Sequence, residues 1–257
     1  RLSCALINDL EPLRRDLLLT LALLVLLLCW EAGAWDMALA QAYGDATGFA
    51  LRDHWLPRRV LHDGGRALSA AALLGVAVWS ALGDARVMAR RKRWAWAAVV
   101  VLCLVVVPAM KRLSSTSCPW ELDAFGGSVA YVPHWLLALT DGGPGHCFPS
   151  GHAVAAFAFL PLHFQWRRVQ PRLARALLAA TLVAGVAFGW AQLARGAHFP
   201  SHTMWSAWLC WAIGATAARC LELRQPSSTL SINRVLSSRA AASATSGSPS
   251  AGAPKSR

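Results

Sequence analysis

The sequence predicts an all-α fold, a six-span transmembrane helical bundle with its polar, chemistry-bearing loops on the outer face. Three observations lead there. Charged residues make up 15% of the 257-residue chain and hydrophobic residues 56%, whereas a soluble domain carries about a quarter charged residues. Apolar residues collect into six runs. Basic residues alternate between the segments that join those runs, for which a soluble helical protein has no reason.

The runs are Leu17–Ala34, Ala67–Gly83, Trp94–Met110, Gly151–Trp166, Ala176–Leu193 and Thr203–Ala218. Several fall short of the about 20 residues that cross a bilayer comfortably. Length alone therefore also allows buried core helices, and charge decides. With the N-terminus inside, Arg1–Asp16, Asp84–Arg93, Arg167–Arg175 and the tail from Arg219 hold eighteen Lys and Arg, against seven in the alternate segments. Lys and Arg accumulate in short cytoplasmic loops, so both termini are expected in the cytoplasm. Leu17–Trp30 follows Arg14 and Arg15 like a signal-peptide core. No clear small-residue cleavage site comes after it, and it is read as the first span.

Residues 1–16 are thus a cytoplasmic segment and 17–220 the membrane domain. Residues 221–257, rich in Ser, Ala and Gly, are expected to be a disordered cytoplasmic tail. The net charge of +12 comes from short loops and the tail. It supplies no basic face on a soluble fold, so no nucleic-acid partner is expected. In the outer segment Trp35–Arg66, His54 and His62 suit packing at the headgroup layer. His134, His146 and His163 have no partner pattern and suit structural roles. Cys118 and Cys147 are the two cysteines of the outer loop. They are expected to pair in an oxidising compartment such as a periplasm, closing a loop of about 30 residues for about 3 kcal/mol.

Three polar segments meet the outer face. Lys111-Arg112 through Cys118-Pro119-Trp120 ends the third run. Pro149-Ser150-Gly151-His152 opens the fourth, where Ser150 is an N-cap candidate for a helix starting near Gly151. Free backbone N–H groups there bind anions, and Gly151 allows close approach. Arg195-Gly196-Ala197-His198-Phe199-Pro200-Ser201-His202 joins the fifth and sixth runs, with Pro200 suited to the first helical position. Cations, a helix start and histidines on one side suit phosphate chemistry. Lys and Arg clamp phosphoryl oxygens, one imidazole attacks phosphorus and another moves the proton. No carboxylate cluster or Cys/His spacing calls for a metal, and no cofactor is expected.

These segments resemble the signature of the type-2 phosphatidic-acid phosphatase and vanadium haloperoxidase superfamily, in its integral-membrane lipid phosphatase branch. The likeness covers about Lys111 to His202. It implies a membrane phosphatase that hydrolyses a lipid-linked phosphate or pyrophosphate at the outer face through a phosphohistidine. His198 would be the nucleophile and His152 the general acid, with His202 beside them. Lys111, Ser150 and Gly151 would bind phosphate. The partners implied are a phosphorylated membrane lipid and the bilayer, in a bacterial inner membrane with the site periplasmic. The sequence departs from the pattern at three places. Cys118 and Gln192 stand where the family has Arg, and His202 where it has Asp. Arg112 and Arg195 are nearby cations that compensate, Arg195 the better placed. Glu121, Asp123 and Asp141 are the outer-loop carboxylates available in place of the missing Asp. A lipid phosphotransferase on the same site, or a non-catalytic lipid-binding protein with a degenerate site, are the alternatives.

Overall fold

Helices dominate the computed structural model, which describes residues 2–136 and 139–223. In chain order they are α1 (Leu2–Ala32), α2 (Trp35–Gln41), a π-helix (Leu56–Asp63) running directly into α3 (Gly64–Leu82), α4 (Arg90–Leu113), α5 (Val154–Phe157), α6 (Pro161–Trp166), α7 (Pro171–Ala194) and α8 (Pro200–Leu223). A two-stranded antiparallel hairpin, β1 (Gly44–Asp45) and β2 (Gly48–Phe49), lies between α2 and the π-helix. The expected disordered tail falls outside the described residues.

The amphipathicity is inverted relative to a water-soluble bundle. Leu17, Leu18, Leu26, Leu74, Val183 and Val186 are exposed, whereas Arg93, Gln165, Gln192, His198 and His202 are buried. Such a surface is stable only against another apolar medium. Among the described residues, Leu56–Leu82, Arg90–Leu113 and Pro171–Ala194 are long and apolar enough to cross a membrane. A fourth candidate is the pair Leu13–Ala32 and Trp35–Gln41, bent by 68°. The chain is therefore a helical integral membrane protein.

The fourth apolar run differs from its expected form. No helix opens at Gly151: residues Gly151–Ala153 form a turn and α5 begins at Val154. Pro161, which has no N–H to give, separates α5 from α6 and restarts the chain as the first residue of α6. These short helices bury almost every side chain between Val154 and Trp166.

Two helix ends fix the segment that carries His198. α7 ends in a Schellman motif: Gly196 N–H donates to Leu193 O at 2.9 Å and Ala197 N–H to Gln192 O at 2.8 Å. That motif needs a left-handed residue, and Gly196 has φ 72°. α8 begins on Pro200, and its Ser201 N–H is accepted by Asp36 Oδ1 of α2 at 3.0 Å. Ser201 Oγ donates to the other oxygen of Asp36, and Trp30 Nε1 to Oδ1 at 2.9 Å. A small apolar cluster of Phe49, Leu122, Phe125, Val129, Leu193 and Phe199 closes this end of the bundle beneath the loops.

Replacing Gly196 by Ala is expected to cost about 1–3 kcal/mol, read as a lower thermal midpoint in detergent. The added Cβ would lie 2.2 Å from the Phe49 ring, on a backbone with positive φ.

Candidate active site

Lys111, at the last turn of α4, extends its stem across Gly151. A Cβ built on Gly151 would meet Lys111 Cδ at 3.1 Å, so a larger residue there would press on the lysine stem. Ser150 is buried directly beneath. It donates its N–H to His202 O at 3.0 Å, and its Oγ accepts from Ala153 N–H at 3.4 Å. Ser206 of α8 donates to Ser150 O at 2.9 Å. The turn bearing His152 is thereby stitched to the first turns of α8.

These tethers bring Lys111, Gly151, His152, Arg195 and His198 around one cavity of about 330 Å³. Cys118, Trp120, Gln192, His62 and Arg66 complete most of its wall. Among the described residues no carboxylate lines it. Arg112 is exposed and does not line this cavity. His202 lies behind His198 and faces a separate small cavity with Tyr131, His134 and Asp141. Its Nδ1 is 3.5 Å from His198 Nδ1. That contact leaves Nε2 as the His198 nitrogen free for the cavity.

His62 was expected to pack at the membrane interface. It instead stacks on His152, with ring centroids 4.4 Å apart and planes at 23°. Its own Nδ1 is 2.9 Å from Asp63 Oδ1. His152 Nε2 donates to Leu61 O at 3.2 Å, which leaves Nδ1 as its reactive nitrogen. Both partners come from the π-helix, a rare form that often marks a functional site. Arg66, one turn beyond His62, reaches the same wall.

Two of the three departures from the expected motif now have surroundings. Gln192 is 3% exposed, and its side-chain nitrogen has no hydrogen-bond partner among the described residues. A buried donor on a cavity wall suits an anion. Cys118 is disulfide-bonded to Cys147, with Cα atoms 5.2 Å apart. The bond ties the loop after α4 to the loop before Pro149. Cys147 Sγ lies 3.4 Å from His198 Nδ1. Cys147, His198 and His202 bring ligand atoms within 4.8 Å of one another. A disulfide sulfur is no thiolate, so the cluster lacks the third donor a metal would need.

Arg195 spends its Nε on Arg52 O at 2.8 Å, and its remaining guanidinium nitrogens are the part left for a ligand. The three outer-loop acids are occupied locally. Glu121 accepts from Cys118 N–H at 2.8 Å, Asp123 from Ala124 N–H at 2.7 Å, and Asp141 from Ser117 and Gly143.

Burial, and then the neighbouring His62, push the His152 imidazole down to about 4. Burial, and then the Lys111 ammonium, lower His198 well below the ordinary histidine value. Both shifts favour the uncharged ring. The arrangement gathers cationic donors and imidazoles around one space.

A helical membrane protein with a cationic, histidine-lined cavity defines the class. The PAP2 superfamily model matches residues 92–226, and the chain belongs to that superfamily. The structure is similar to the crystal structure of the first transmembrane PAP2 type phosphatidylglycerolphosphate phosphatase from Bacillus subtilis. The TM-score is 0.53 at 16% identity, covering 81% of this chain and 98% of that one. None of the curated proteins matches this sequence.

Two outcomes follow. Between pH about 6.5 and about 4 the unfolded chain holds the His152 proton and the folded chain does not. Stability is therefore expected to fall as the pH drops through that window, and His152→Gln to flatten the loss, as read by thermal unfolding against pH. Without reductant, alkylation is expected to leave Cys118 and Cys147 unmodified by mass. Replacing both with Ser is expected to cost about 3 kcal/mol.

Proposed function

We infer that this protein is a membrane phosphatase that removes phosphate from a lipid-linked phosphate or pyrophosphate. One observation carries the reading. Lys111, Gly151, His152, Gln192, Arg195 and His198, drawn from three distant segments, line a single cavity. An apolar cavity of about 440 Å³ shares Ala155 with it and continues along Leu68, Ala72, Phe159 and Phe188. A substrate with an anionic head and an apolar tail suits that pair.

In the proposed reaction the phosphoryl oxygens lie against Lys111, Arg195, Gln192 and the Gly151 main chain. His198 Nε2 donates its lone pair to phosphorus as the bond to the lipid oxygen breaks. His152 Nδ1–H protonates that oxygen. In the second half His152, now neutral, takes a proton from water. The water oxygen displaces His198, and inorganic phosphate leaves. His152 must enter protonated, and a bound phosphate dianion supplies the field that raises its proton affinity. The stacked His62 opposes that proton until the anion arrives.

The same reading sets six crossings with both termini cytoplasmic and the cavity on the outer side. Its support is the common end of the helices. Lys111, Arg66 and Arg195 lie at one set of helix termini. The buried Arg93–Ser80 contact and the Asp16–Arg167 pair lie at the other. Counted along the sequence, eighteen Lys and Arg fall in the segments expected on the cytoplasmic side and seven in the others. The fourth crossing, Val154–Trp166, is short. It passes through the bundle rather than along lipid.

Purified protein is expected to release phosphate from one or more of phosphatidic acid, phosphatidylglycerol phosphate and an isoprenoid diphosphate. Vanadate is expected to inhibit and a chelator to have no effect. His198→Ala should lower kcat by at least about 10³-fold. Full activity in His198→Ala would overturn the assignment, and phosphate appearing only on an added lipid acceptor would make it a transferase.

A further inference from the structure

The first turn of α8 carries His202 where the family pattern has a carboxylate. An imidazolium developing at His198 therefore has no acid beside it. Lys111, whose charge opposes it, stands on the cavity side. On the other side, behind His202, two buried side chains from elsewhere in the chain meet. His134 Nε2 lies 3.1 Å from Glu31 Oε1, with side-chain exposures of 6% and 8%. The two side chains meet at ion-pair distance and are not aligned as a hydrogen bond. Phe148 stacks on the His134 ring at 3.9 Å, and His202 meets that ring edge-on at 5.5 Å and 87°. Trp205 Nε1 donates to the same Glu31 oxygen at 2.9 Å.

Resting on the phosphatase reading, we propose that Glu31, acting through His134, supplies the negative charge that His202 lacks, so that both are positioning residues for His198. The order runs Glu31, His134, His202, His198, with the last two facing through Nδ1 atoms. His198 Nδ1–H donates to His202 Nδ1, and His202 keeps its hydrogen on Nε2. This fixes the tautomer that presents the His198 Nε2 lone pair. No proton need move along the series. Glu31 brings a carboxylate to this side of the histidines. It stabilises the positive charge formed at His198 as the phosphorus–nitrogen bond forms, in surroundings that screen little.

Other acids are spoken for. Asp36 holds Ser201 and Trp30, and Glu121, Asp123 and Asp141 hold loop backbone. Glu31 is the buried acid with a histidine against it. A carboxylate at the end of a membrane helix is costly to bury and is kept where it has a partner and a task.

The test compares the full chain with Glu31→Gln, His202→Asp and the double variant. Gln retains an acceptor for Trp205. Glu31→Gln is expected to lower kcat by about 10- to 100-fold with KM unchanged, less than the about 10⁴ seen when a directly bonded carboxylate is lost. His202→Asp places a carboxylate beside His198, and in that background Glu31→Gln should change kcat by less than about 3-fold. Equal losses in both backgrounds, or a rise in KM at constant kcat, would overturn the proposal. Should His202→Asp fail to fold, His134→Asp in the Glu31→Gln protein decides. Recovery of about tenfold in kcat supports the series, and none overturns it. A wild type that hydrolyses no lipid phosphate would count against the phosphatase reading alone. Vanadate affinity then carries the same comparison: Glu31→Gln should weaken it in the wild type and not beside Asp at 202, and an unchanged affinity overturns the series.

Discussion

The trans-cap at Asp36 is the contact on which the site geometry depends. An α-helix leaves its first N–H groups unsatisfied, and burying them in apolar surroundings costs several kcal/mol. Here the Ser201 amide of α8 is met by a carboxylate from α2. The carboxylate is in turn satisfied by Ser201 Oγ and the Trp30 indole. Five residues upstream, the Schellman turn at Gly196 closes α7. His198 lies between two backbone terminations, each with its hydrogen bonds satisfied. Its side chain is therefore aimed by main-chain bonding, whatever occupies the cavity.

The inverted surface explains how such a site tolerates a membrane. Leucines and valines of α1, α3 and α7 face outward. Polar groups that would be expensive in lipid, such as Arg93 and Asp36, face the bundle interior and find partners there. The loops at the cavity end bring their own apolar cluster around Phe125 and Phe199. That cluster is built like a small water-soluble core. It holds Trp120, whose N–H donates to Gly196 O at 2.9 Å, and so binds the loop after α4 to the loop before α8. The disulfide adds a second tie between the loop after α4 and the loop before Pro149.

Much of the site was legible because the chemistry demands particular residue types at fixed spacings. Lys111, Gly151, His152, Arg195 and His198 all line the cavity. What was not legible came through geometry that spacing does not encode. His62 reaches the cavity from a π-helix, whose register differs from the 3.6-residue period, and Arg66 from the first turn of α3 that continues it. Gln192 read as a loss of charge, yet its amide nitrogen remains an unpartnered donor on the wall. Arg112 follows Lys111 directly and so points to another face of α4. Glu31 closes an apolar run and His134 sits in a loop about a hundred residues away, with no local pattern to link them. Gly151 read as a helix start, but Pro161 cuts the following run into pieces too short to carry a dipole of any size.

Charge balance gives the departures a common sense. Three basic side chains and three imidazoles line a space with no carboxylate among the described residues. An Arg at position 118 or 192 would add positive charge to walls that already hold His152 and His198 below their ordinary proton affinity. A cystine and a neutral amide at those positions keep a bond and a donor without that charge. Glu31, held near the histidines from behind, lies outside the cavity. It does not repel an incoming anion at close range. An Asp directly behind His198 would stabilise the imidazolium more strongly and weaken phosphate binding more. Distance through two rings trades part of the first effect for relief from the second. In the proposed reaction, where the anion binds before His152 is protonated, that trade favours the bound anion.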